Sequence, residues 1–561
     1  IGGGQINKSS GNDSYIGAGT YNTASGDHSI IVGGSGSCNA GDYSFIGGGI
    51  EQLIKGNANC SAIIAGCNNE IDTTGINSFI GAGRDNRTGV CNEGGLIVGG
   101  CGNEVGCIAS PLAPYAIIGG GCGNHVMGDS AGILSGIDNC VGGYGINEGT
   151  KVSFIGAGIR NRVNSCCSSV VGGSDNTASA DFSFVGGGCG NKVCCDYGTI
   201  VGGADNLIHS GCLYGFVGAG YLNQNRGRSA GVVSGECNCV CTDYSFIGSG
   251  KENEILSNVY AVIGGGRCNN INGSGGYGFL GGGCNNAICS STNSGHVLVG
   301  GTCNKSCNTT TGGGHTVIVG GSQNCALGQY SSVVGGYLNS VSSKYTFIGG
   351  GTNNTSSNSG TDNVIVGGCK NVIDSTSSTG HFIGGGGSNL ICVSTQSYAT
   401  IVGGLCNKIF GSYSTGNFIG GGVSNTLCTG TNNSFIGGGC KNQANDDFTS
   451  IVGGLENTAS AQCSFIGGGY RNTSSADNTF IGGGALNCIG SGMSSIVGGS
   501  SNKTFGQCSF IGGGLSNSIT TDDAYTVIVG GQSNIVEASW SAIVGGCLNI
   551  VSDFHSFIGG G

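Results

Sequence analysis

The sequence predicts an all-β fold, a repetitive parallel β-solenoid with about 15 residues per coil. Glycine supplies 123 of the 561 residues and recurs in clusters, each of which ends at a Gly that we take as the anchor of one unit. An Asn stands three residues after the anchor in 32 of the 34 complete units, and Ser37 and Gln52 are the exceptions. A short apolar phrase precedes almost every anchor. We therefore expect one repeat domain over residues 1–561.

The spacing of the anchors sets the size of the coil. The 35 anchors run from Gly4 to Gly561, and 18 of their 34 spacings are fifteen residues while none is shorter. Longer spacings are insertions between the Asn segment and the next apolar phrase, as in "GCIASPLAPYA" and "CVGGYGINEGTKVS". Insertions at one corner of a coil emerge along one edge of a solenoid. Fifteen residues are too few for a strand and a helix, so two short strands and two turns are expected per coil.

The Asn that follows each anchor predicts a buried ladder. Asn tolerates the left-handed conformation and its amide can form hydrogen bonds to the turn backbone, so a residue that only stabilises the turn is the simpler interpretation. Amides stacked in register can also bond from coil to coil, and so strict a slot favours this second interpretation. The candidate ladder residues include Asn69, Asn86, Asn103, Asn124, Asn191, Asn253, Asn339, Asn457 and Asn502.

The apolar phrase occurs in two sequence forms, which predict that large side chains of one coil pack against small ones of the next, an arrangement that we call the interlock. The phrase reads Ser-Phe-Ile-Gly-Gly-Gly at Ser44–Gly49 and Thr-Ser-Ile-Val-Gly-Gly at Thr449–Gly454, and its positions are numbered from the first residue of each, Ser44 or Thr449. Position three is always aliphatic, whereas positions two and four share the opposite face of a strand and exchange size. Large side chains then lie against small ones in successive coils. The expected interlock includes Phe45, Phe79, Phe184, Phe246, Phe347, Phe465 and Phe510, and we predict these rings to be buried in the assembled state.

Both faces of this strand are apolar, which predicts association between copies. One face can fill the solenoid, but the other would leave an apolar stripe that soluble monomers rarely expose. We expect copies of the same chain to cover it, with a closed homotrimer as the natural solution. The chain begins and ends inside a repeat, so we also expect missing natural ends, and further rod or an end-to-end filament beyond Ile1 and Gly561.

Composition argues against several other classes. Charged residues are 9 % of the chain against about 25 % in typical proteins, and the 19 Lys and Arg form no basic stripe, so nucleic acid is not an expected partner. No apolar run approaches the roughly 18 residues of a membrane span. Collagen is excluded because the glycines lack a period of three.

The 32 cysteines leave two interpretations open. They are either small turn residues or partners in disulfides between coils or chains, since a 4.8 Å rise lies within disulfide reach. Cys101 and Cys122 occupy the same slot of successive units across a long insertion, which makes them the candidate disulfide. The "CNCVC" run from Cys237 to Cys241 has no second pair or His to complete a metal site.

No catalytic, cofactor or metal site is predicted. The seven His are scattered, and no paired carboxylates or Ser-His-Asp grouping can be seen. An acyltransferase on a left-handed β-helix would show hexapeptides and a period of 18, and an ice-binding solenoid would repeat Thr-x-Thr on one face. The sequence shows neither pattern, so we expect the protein not to be an enzyme.

Three features of the repeats point to a known family: the Ser-x-x-x-Gly phrase, the short coil and the link Asn22-Thr23-Ala24-Ser25-Gly26. In these features the repeats resemble the head repeats of YadA-type trimeric autotransporter adhesins, and similar rolls are expected in phage and large-virus fibres. The resemblance implies a left-handed, trimeric, extended β-roll without catalytic residues. The coil of fifteen and the many cysteines depart from that family, whose coil is usually fourteen and whose heads carry few cysteines.

Two functions follow as expectations. In the first, the chain is a structural component of an extracellular or virion surface fibre or filament that assembles through its apolar strand ladders. In the second, it is an adhesin at a cell or virion surface, whose inserted loops bind a receptor or glycan.

Overall fold

The computed structural model describes residues 1–90, 92–106, 113–142, 150–273, 275–290, 295–308, 314–395, 398–411, 415–428, 430–522 and 525–561. They form two compact units, Ile1–Ile271 and Asn272–Gly561. Each unit is a parallel β-solenoid, and the described residues contain strands and turns but no helix. The predicted fold class is therefore confirmed. About half of each long insertion quoted above, residues 107–112 and 143–149, lies outside the described residues.

Each coil contributes one strand to each of two sheets. The first strand of a coil holds positions two and three of the apolar phrase, and these strands form what we call the Phe sheet. In the first unit they are Tyr15–Ile16, Ile30–Ile31, Phe45–Ile46, Ala62–Ile63, Phe79–Ile80, Leu96–Ile97, Ile117–Ile118, Gly132–Ile133, Phe154–Ile155, Ser169–Val170, Phe184–Val185, Thr199–Ile200, Phe216–Val217, Gly231–Val232, Phe246–Ile247 and Val262–Ile263. In the second unit they are Phe279–Leu280, Val297–Leu298, Val317–Ile318, Ser332–Val333, Phe347–Ile348, Val364–Ile365, Phe382–Ile383, Thr400–Ile401, Phe418–Ile419, Phe435–Ile436, Ser450–Ile451, Phe465–Ile466, Phe480–Ile481, Ser495–Ile496, Phe510–Ile511, Val527–Ile528, Ala542–Ile543 and Phe557–Ile558.

The second strand of a coil starts directly after the ladder Asn, and these strands form the Asn sheet. In the first unit they are Lys8–Ser9, Thr23–Ala24, Cys38–Asn39, Leu53–Ile54, Glu70–Ile71, Arg87–Thr88, Glu104–Val105, His125–Val126, Cys140–Val141, Arg162–Val163, Thr177–Ala178, Lys192–Val193, Leu207–Ile208, Gln224–Asn225, Cys239–Val240 and Glu254–Ile255, with Asn270–Gly273 at the boundary. In the second unit they are Ala287–Ser290, Lys305–Asn308, Cys325–Ala326, Ser340–Val341, Thr355–Ser357, Val372–Ser377, Leu390–Thr395, Lys408–Gly411, Thr426–Leu427, Gln443–Ala444, Thr458–Ala459, Thr473–Ser474, Cys488–Ile489, Lys503–Thr504, Ser518–Ile519, Ile535–Val536 and Ile550–Val551.

The register shows one coil per anchor. Ile30 pairs with Phe45 in the Phe sheet, and Lys8 pairs with Thr23 in the Asn sheet, each fifteen residues apart. Across a longer spacing the register is kept, as where Phe45 pairs with Ala62. The insertions therefore lengthen one corner without shifting the strands. Averaged over the chain, a coil holds about 16 residues.

The interior is filled by one residue from each strand. Position three of the Phe sheet and the second residue of each Asn-sheet strand point inward, and Ile247 and Ile255 of one coil are both fully buried. The position-three residues Ile46, Ile80, Val185, Ile247, Ile348 and Ile511, which we predict to be buried on the strand face opposite the Phe rings, are all 0 % exposed. Parallel stacking thus gives two inner rows that face each other across the coil. The row of the Phe sheet is aliphatic, and the row of the Asn sheet is mostly aliphatic, with the buried polar members Asn39, Thr88, Asn225, Ser306, Ser356, Ser474 and Thr504.

The corner between the two strands needs glycine at one position. The anchor Gly203 has φ +90°, and an idealised Cβ on it would lie 2.2 Å from the carbonyl oxygen of Gly220 in the next coil. A further bridge forms at the next residue, where Ala204 pairs with Tyr221. Asp205 follows with φ 53°, in the left-handed region. The anchor is glycine because neither the conformation nor the space admits a side chain.

The single chain does not bury the Phe rings of the expected interlock. Phe184, Phe246, Phe347 and Phe510 are 37–41 % exposed, and Phe45, Phe79 and Phe465 are half-buried. The physical reason is that position two points away from the interior, which position three already fills. Burial of these rings therefore remains a prediction about the assembled state.

Candidate assembly face and its supporting ladders

The ladder Asn side chains are fully buried and hydrogen-bonded along each unit. Asn86 shows the pattern, because its backbone N–H and its Nδ2 both donate to Oδ1 of Asn69, at 3.1 and 3.0 Å. Nδ2 also donates to the carbonyls of Ala82, at 3.2 Å, and Gly100, at 3.0 Å. One side chain thus makes hydrogen bonds within three successive coils, and these bonds give the buried amide the partners that a buried polar group needs.

The same slot is buried at every predicted ladder position. The Asn residues at 69, 86, 103, 124, 191, 253, 339, 457 and 502 are all 0 % exposed. At the two exceptions the ladder continues through other atoms, since Gln52 N–H donates to Oγ of Ser37 and Asn69 N–H donates to Oε1 of Gln52, both at 3.3 Å. The slot therefore requires a side-chain acceptor, and Asn combines that acceptor with a donor at the right length.

The outer face of the Phe sheet is apolar and exposed. Position two carries the Phe rings described above, and position four carries Val in the alternate coils, with Val98, Val201 and Val452 about half exposed. Each Phe ring leans over the Gly at position four of its own coil, where an idealised Cβ on Gly186 would lie 3.4 Å from Cε1 of Phe184. The ring therefore covers the space that its own glycine leaves. The result is a continuous apolar surface within each unit, which we call the Phe face.

The outer face of the Asn sheet is different in character. In the first unit it carries a network in which Lys55 contacts Glu70 and Asp72, and Arg87 Nη2 lies 2.6 Å from Asp72. Burial alone would raise the pKa of Asp72, but hydrogen bonds from Arg87, the Thr73 N–H and Lys55 outweigh it and lower that pKa. Charges paired across coils suit a face in water, so the Phe face is the better candidate for a covered surface.

The cysteines fall into distinct settings. Cys101 and Cys122, the candidate disulfide, are bridge partners in successive coils and are both free thiols. Arg84 Nη2 lies 3.6 Å from Sγ of Cys101. The pairing of Cys101 with Cys122 under oxidation stays a prediction.

Cys195 and Cys212 are buried, which raises the pKa of each thiol to about 11 and makes both poor nucleophiles.

A disulfide that the sequence analysis missed joins Cys289 to Cys307. The two residues are in register on neighbouring strands of the Asn sheet, with Cα atoms 4.5 Å apart. Each stands three residues after a ladder Asn, at Asn286 and Asn304, and this shared offset is the signal that could have found them.

A column of aromatic residues along one corner was also missed. It occupies the position two residues before each Phe-sheet strand, and we call it the aromatic column. Eleven of the 18 tyrosines and the single Trp lie there, all with positive φ: Tyr43, Tyr115, Tyr197, Tyr214, Tyr244, Tyr260, Tyr277, Tyr330, Tyr345, Tyr398, Tyr525 and Trp540. Rings of successive coils stack, as Tyr197 does with Phe182 at 4.9 Å and with Tyr214 at 5.0 Å between centroids. A constant offset from the strand would have revealed it.

Two histidines lie in the interior of the second unit. His296 shares hydrogen bonds with Thr316 and Ser306, and His381 bonds to Ser378. Burial lowers the pKa of each to about 4, so both are neutral at pH 7. The Ala399 N–H also donates to Nδ1 of His381, at 3.2 Å, so hydroxyl and backbone groups hold these imidazoles in place.

Across the part of the chain that the structure describes, no three His, Cys, Asp or Glu side chains are grouped to hold a metal ion. Within the same residues, no helix is long and apolar enough to cross a membrane. No protein-family model and no curated protein matches this chain.

Proposed function

We propose that this chain is a structural component of an extracellular or virion surface fibre or filament, and that copies associate through the Phe face. The observation that carries the proposal is the exposure of both position two and position four along this face. An apolar surface of this extent on a monomer marks an association site. The polar outer face of the Asn sheet remains in water.

The size of the apolar surface is sufficient for stable association. An aromatic side chain buries roughly 150–250 Å² when fully covered, so the exposed fraction of a ring such as Phe184 offers roughly 60–100 Å². At about 25 cal/mol per Å², six such rings in the first unit contribute on the order of 9–15 kcal/mol, and the valines add to this. The cost of association is about 4–15 kcal/mol, so one unit already offsets most of it.

A homotrimer is the assembly that we propose. A closed ring of copies buries the same face on every chain, whereas an open arrangement would leave one face uncovered. The resemblance to trimeric adhesin heads supports the same number.

Charge placed on the Phe face tests the proposal. The double variant Phe184→Glu with Val201→Glu puts carboxylates where we propose that copies meet, and sedimentation of the refolded chain should show monomers. The control is Thr177→Glu on the Asn sheet, where the new carboxylate lies between Arg162 and Lys192 of the neighbouring coils. The control should assemble as the unmodified chain does. An unmodified chain that sediments as a compact monomer at micromolar concentration would refute the fibre function.

The aromatic column favours adhesion as a second candidate function. Bulky residues with φ near 55° cost about 1–2 kcal/mol relative to Gly, and Tyr197 and Tyr244 are about half exposed there. Ring stacking contributes a favourable free energy of similar size, so the column adds little net stability to the fold. Exposed aromatic rings are common anchors of binding surfaces, and a cell-surface receptor or glycan is the proposed partner.

Binding to cells or to an immobilised glycan library tests adhesion separately from assembly. The double variant Tyr197→Asn with Tyr214→Asn should lose binding while it still assembles, because Asn tolerates the left-handed conformation. Tyr470→Asn is the control, since Tyr470 is exposed but lies outside the column. Equal binding by all three proteins would eliminate the aromatic column as the adhesive surface.

A further inference from the structure

Four successive coils of the second unit have a wider Asn sheet than most. Their Asn-sheet strands contain three to six residues, at Thr355–Ser357, Val372–Ser377, Leu390–Thr395 and Lys408–Gly411. Ile373 and Ser375 are fully buried, so Asp374 between them points outward. Cys392 and Phe410 follow Asp374 in register on the next two strands. One outward row therefore carries a carboxylate, a thiol and an aromatic ring in three successive coils.

A pocket lies on the outer face of this widened part of the sheet. Its volume is about 290 Å³, and its lining includes Asp374, Thr376, Cys392, Ser394 and Phe410. This volume is close to the lower end of the roughly 300–1,000 Å³ that pockets for small ligands occupy. The coils of Asp374 and Phe410 are roughly 10 Å apart at about 4.8 Å per coil, so the carboxylate and the ring stand at opposite ends of the pocket.

The carboxylate of Asp374 is fixed in place but has no cationic partner. Its Oδ1 accepts hydrogen bonds from Oγ of Ser357, at 3.1 Å, and from Nδ2 of Asn358. Among the described residues, none donates a hydrogen bond to Oδ2 and none forms an ion pair with this carboxylate. The four strands contain one other charged residue, Lys408, which is exposed and lies two coils from Asp374. A half-buried carboxylate without a counter-charge attracts a cation.

The rest of the pocket suits the apolar part of a cationic ligand. Burial and, as a smaller cause, the charge of Asp374 raise the pKa of the Cys392 thiol, so this residue is uncharged at pH 7. Thr376 Oγ1 donates to the carbonyl of Ser394, at 3.0 Å, which satisfies that hydroxyl hydrogen within the protein. The ring of Phe410 attracts a cation that lies within about 6 Å of its centroid. A cation about 2.8 Å from the carboxylate can reach this range, given the separation of the two coils.

We propose that this pocket binds an alkylammonium group, as carried by a lysine side chain of a partner protein or by a free polyamine. The ammonium donates to Oδ2 of Asp374, and its methylene groups lie over Cys392 beside the ring of Phe410. A neutral ligand of the same shape would leave the carboxylate without a counter-charge. The site goes beyond the proposed function, because it lies on the outer face of the Asn sheet, which assembly through the Phe face leaves in water.

Saturation-transfer NMR on the intact chain tests the proposal, with n-butylammonium as the probe and n-butanol as the matched neutral probe. The unmodified protein should bind butylammonium roughly tenfold more tightly than butanol, since the two probes share a carbon chain and differ in charge. This comparison requires no variant to fold. High salt should weaken the binding of butylammonium and leave that of butanol unchanged.

Two variants assign the binding to the pocket. Asp374→Asn should bind butylammonium roughly tenfold more weakly, because the amide keeps an acceptor for Ser357 and Asn358 but has no charge. Phe410→Leu should weaken binding about threefold through loss of the ring. The control is Glu537→Gln, since Glu537 also stands three residues after a ladder Asn and accepts a hydrogen bond from Ser552, at 3.1 Å, but lies outside the pocket. The control should bind as the unmodified chain does.

A lysine-containing tripeptide with blocked ends and spermidine distinguish the two sources of the group. Tighter binding of the tripeptide would favour a protein partner, and equal or tighter binding of spermidine would favour a free polyamine. Equal affinity for butylammonium and butanol would overturn the inference, as would an Asp374→Asn variant that binds butylammonium like the unmodified chain. Either of these results leaves the proposed fibre function standing, because sedimentation measures assembly through the Phe face separately.

Discussion

Neighbouring glycines in one corner have different physical roles, and this contrast is sharpest at Gly202 and Gly203. Gly203 has a positive φ and no room for a methyl group, whereas an idealised Cβ on Gly202 meets no atom within 4 Å. The abundance of glycine therefore does not mean that each one is required. The anchor is required for the coil to turn, and the glycine before it is tolerant.

Substitution of these two glycines by Ala should have unequal effects. Gly203→Ala should destabilise the surrounding coils by about 2–5 kcal/mol, because it combines a disfavoured conformation with a clash against the Gly220 backbone. Gly202→Ala should change stability by less than about 0.5 kcal/mol. Hydrogen exchange of amides in the neighbouring coils and the urea midpoint both report this difference. Equal protection in the two variants would contradict the assigned role of the anchor.

The buried histidines make stability depend on pH. An unfolded His takes up a proton near pH 6.5, whereas His296 and His381 stay neutral in the fold until the pH reaches about 4. The unfolded state thus binds more protons between these values, so stability is full above pH 6.5 and falls as the pH drops toward 4. Each His accounts for about 3 kcal/mol over this range.

Replacement of both histidines by Gln should flatten this dependence. Urea unfolding at pH 7.5 and at pH 4.5 gives the change in midpoint for each protein, and the variant should lose most of the decrease that the unmodified chain shows. The comparison at each pH removes the contribution of carboxylates that both proteins share. An identical decrease in both proteins would mean that other groups cause the acid sensitivity.

At the scale of strands, the ladders stabilise contacts between successive coils rather than contacts within one coil. The Asn amides, the aliphatic rows and the stacked rings each join a residue to its equivalent in the next coil. Stability of such an array is a sum of nearest-neighbour terms, so a local defect should stay local. A covalent link between two coils strengthens one of these terms directly.

The disulfide between Cys289 and Cys307 should stabilise its two strands. It closes a loop with a sequence separation of 18 residues, for which loop-closure entropy gives about 3 kcal/mol. The double variant Cys289→Ser with Cys307→Ser should lower the urea midpoint of the second unit, and reductant should lower that of the unmodified chain equally. Peptide mapping without reductant identifies the bond, and the same map shows whether Cys101 and Cys122 pair. Two free thiols at Cys289 and Cys307 would show that no disulfide stabilises these strands.

At the scale of the whole molecule, the proposed assembly depends on apolar burial. The charges in the network around Lys55 and Asp72 lie on the Asn sheet, away from the Phe face. Association should therefore respond to temperature more than to salt.

The association constant should change less than about threefold between 0.05 and 1 M NaCl, because no charged residue stands at position two or four of the described Phe-sheet strands. It should rise between 5 and 25 °C, since hydrophobic burial weakens on cooling. Sedimentation equilibrium at each condition provides the measurement. Dissociation of the assembly by salt alone would indicate a charged interface and would contradict the Phe face as the contact.

The sequence by itself determined the repeat, the strand pair and the ladder slot. A fifteen-residue period with Gly and Asn at fixed offsets leaves few other folds, and a position that is aliphatic in every unit marks a continuous row along the strands. Cys289 and Cys307 each stand three residues after a ladder Asn, so this pair could also have been found by counting along the sequence. These properties are local or strictly periodic, so they can be counted along the chain.

Only the tertiary structure decided which face of the Phe strands is inside. Phe246 and Ile247 are both apolar, and the alternation of side chains cannot tell which one points into the coil. The answer depends on the curvature of the corner, where the anchor Gly203 and its equivalents turn the chain so that the smaller aliphatic row fills the narrow interior. The same curvature brings Tyr197 and Tyr214 into one stack, because residues 17 apart become neighbours only when the coil closes.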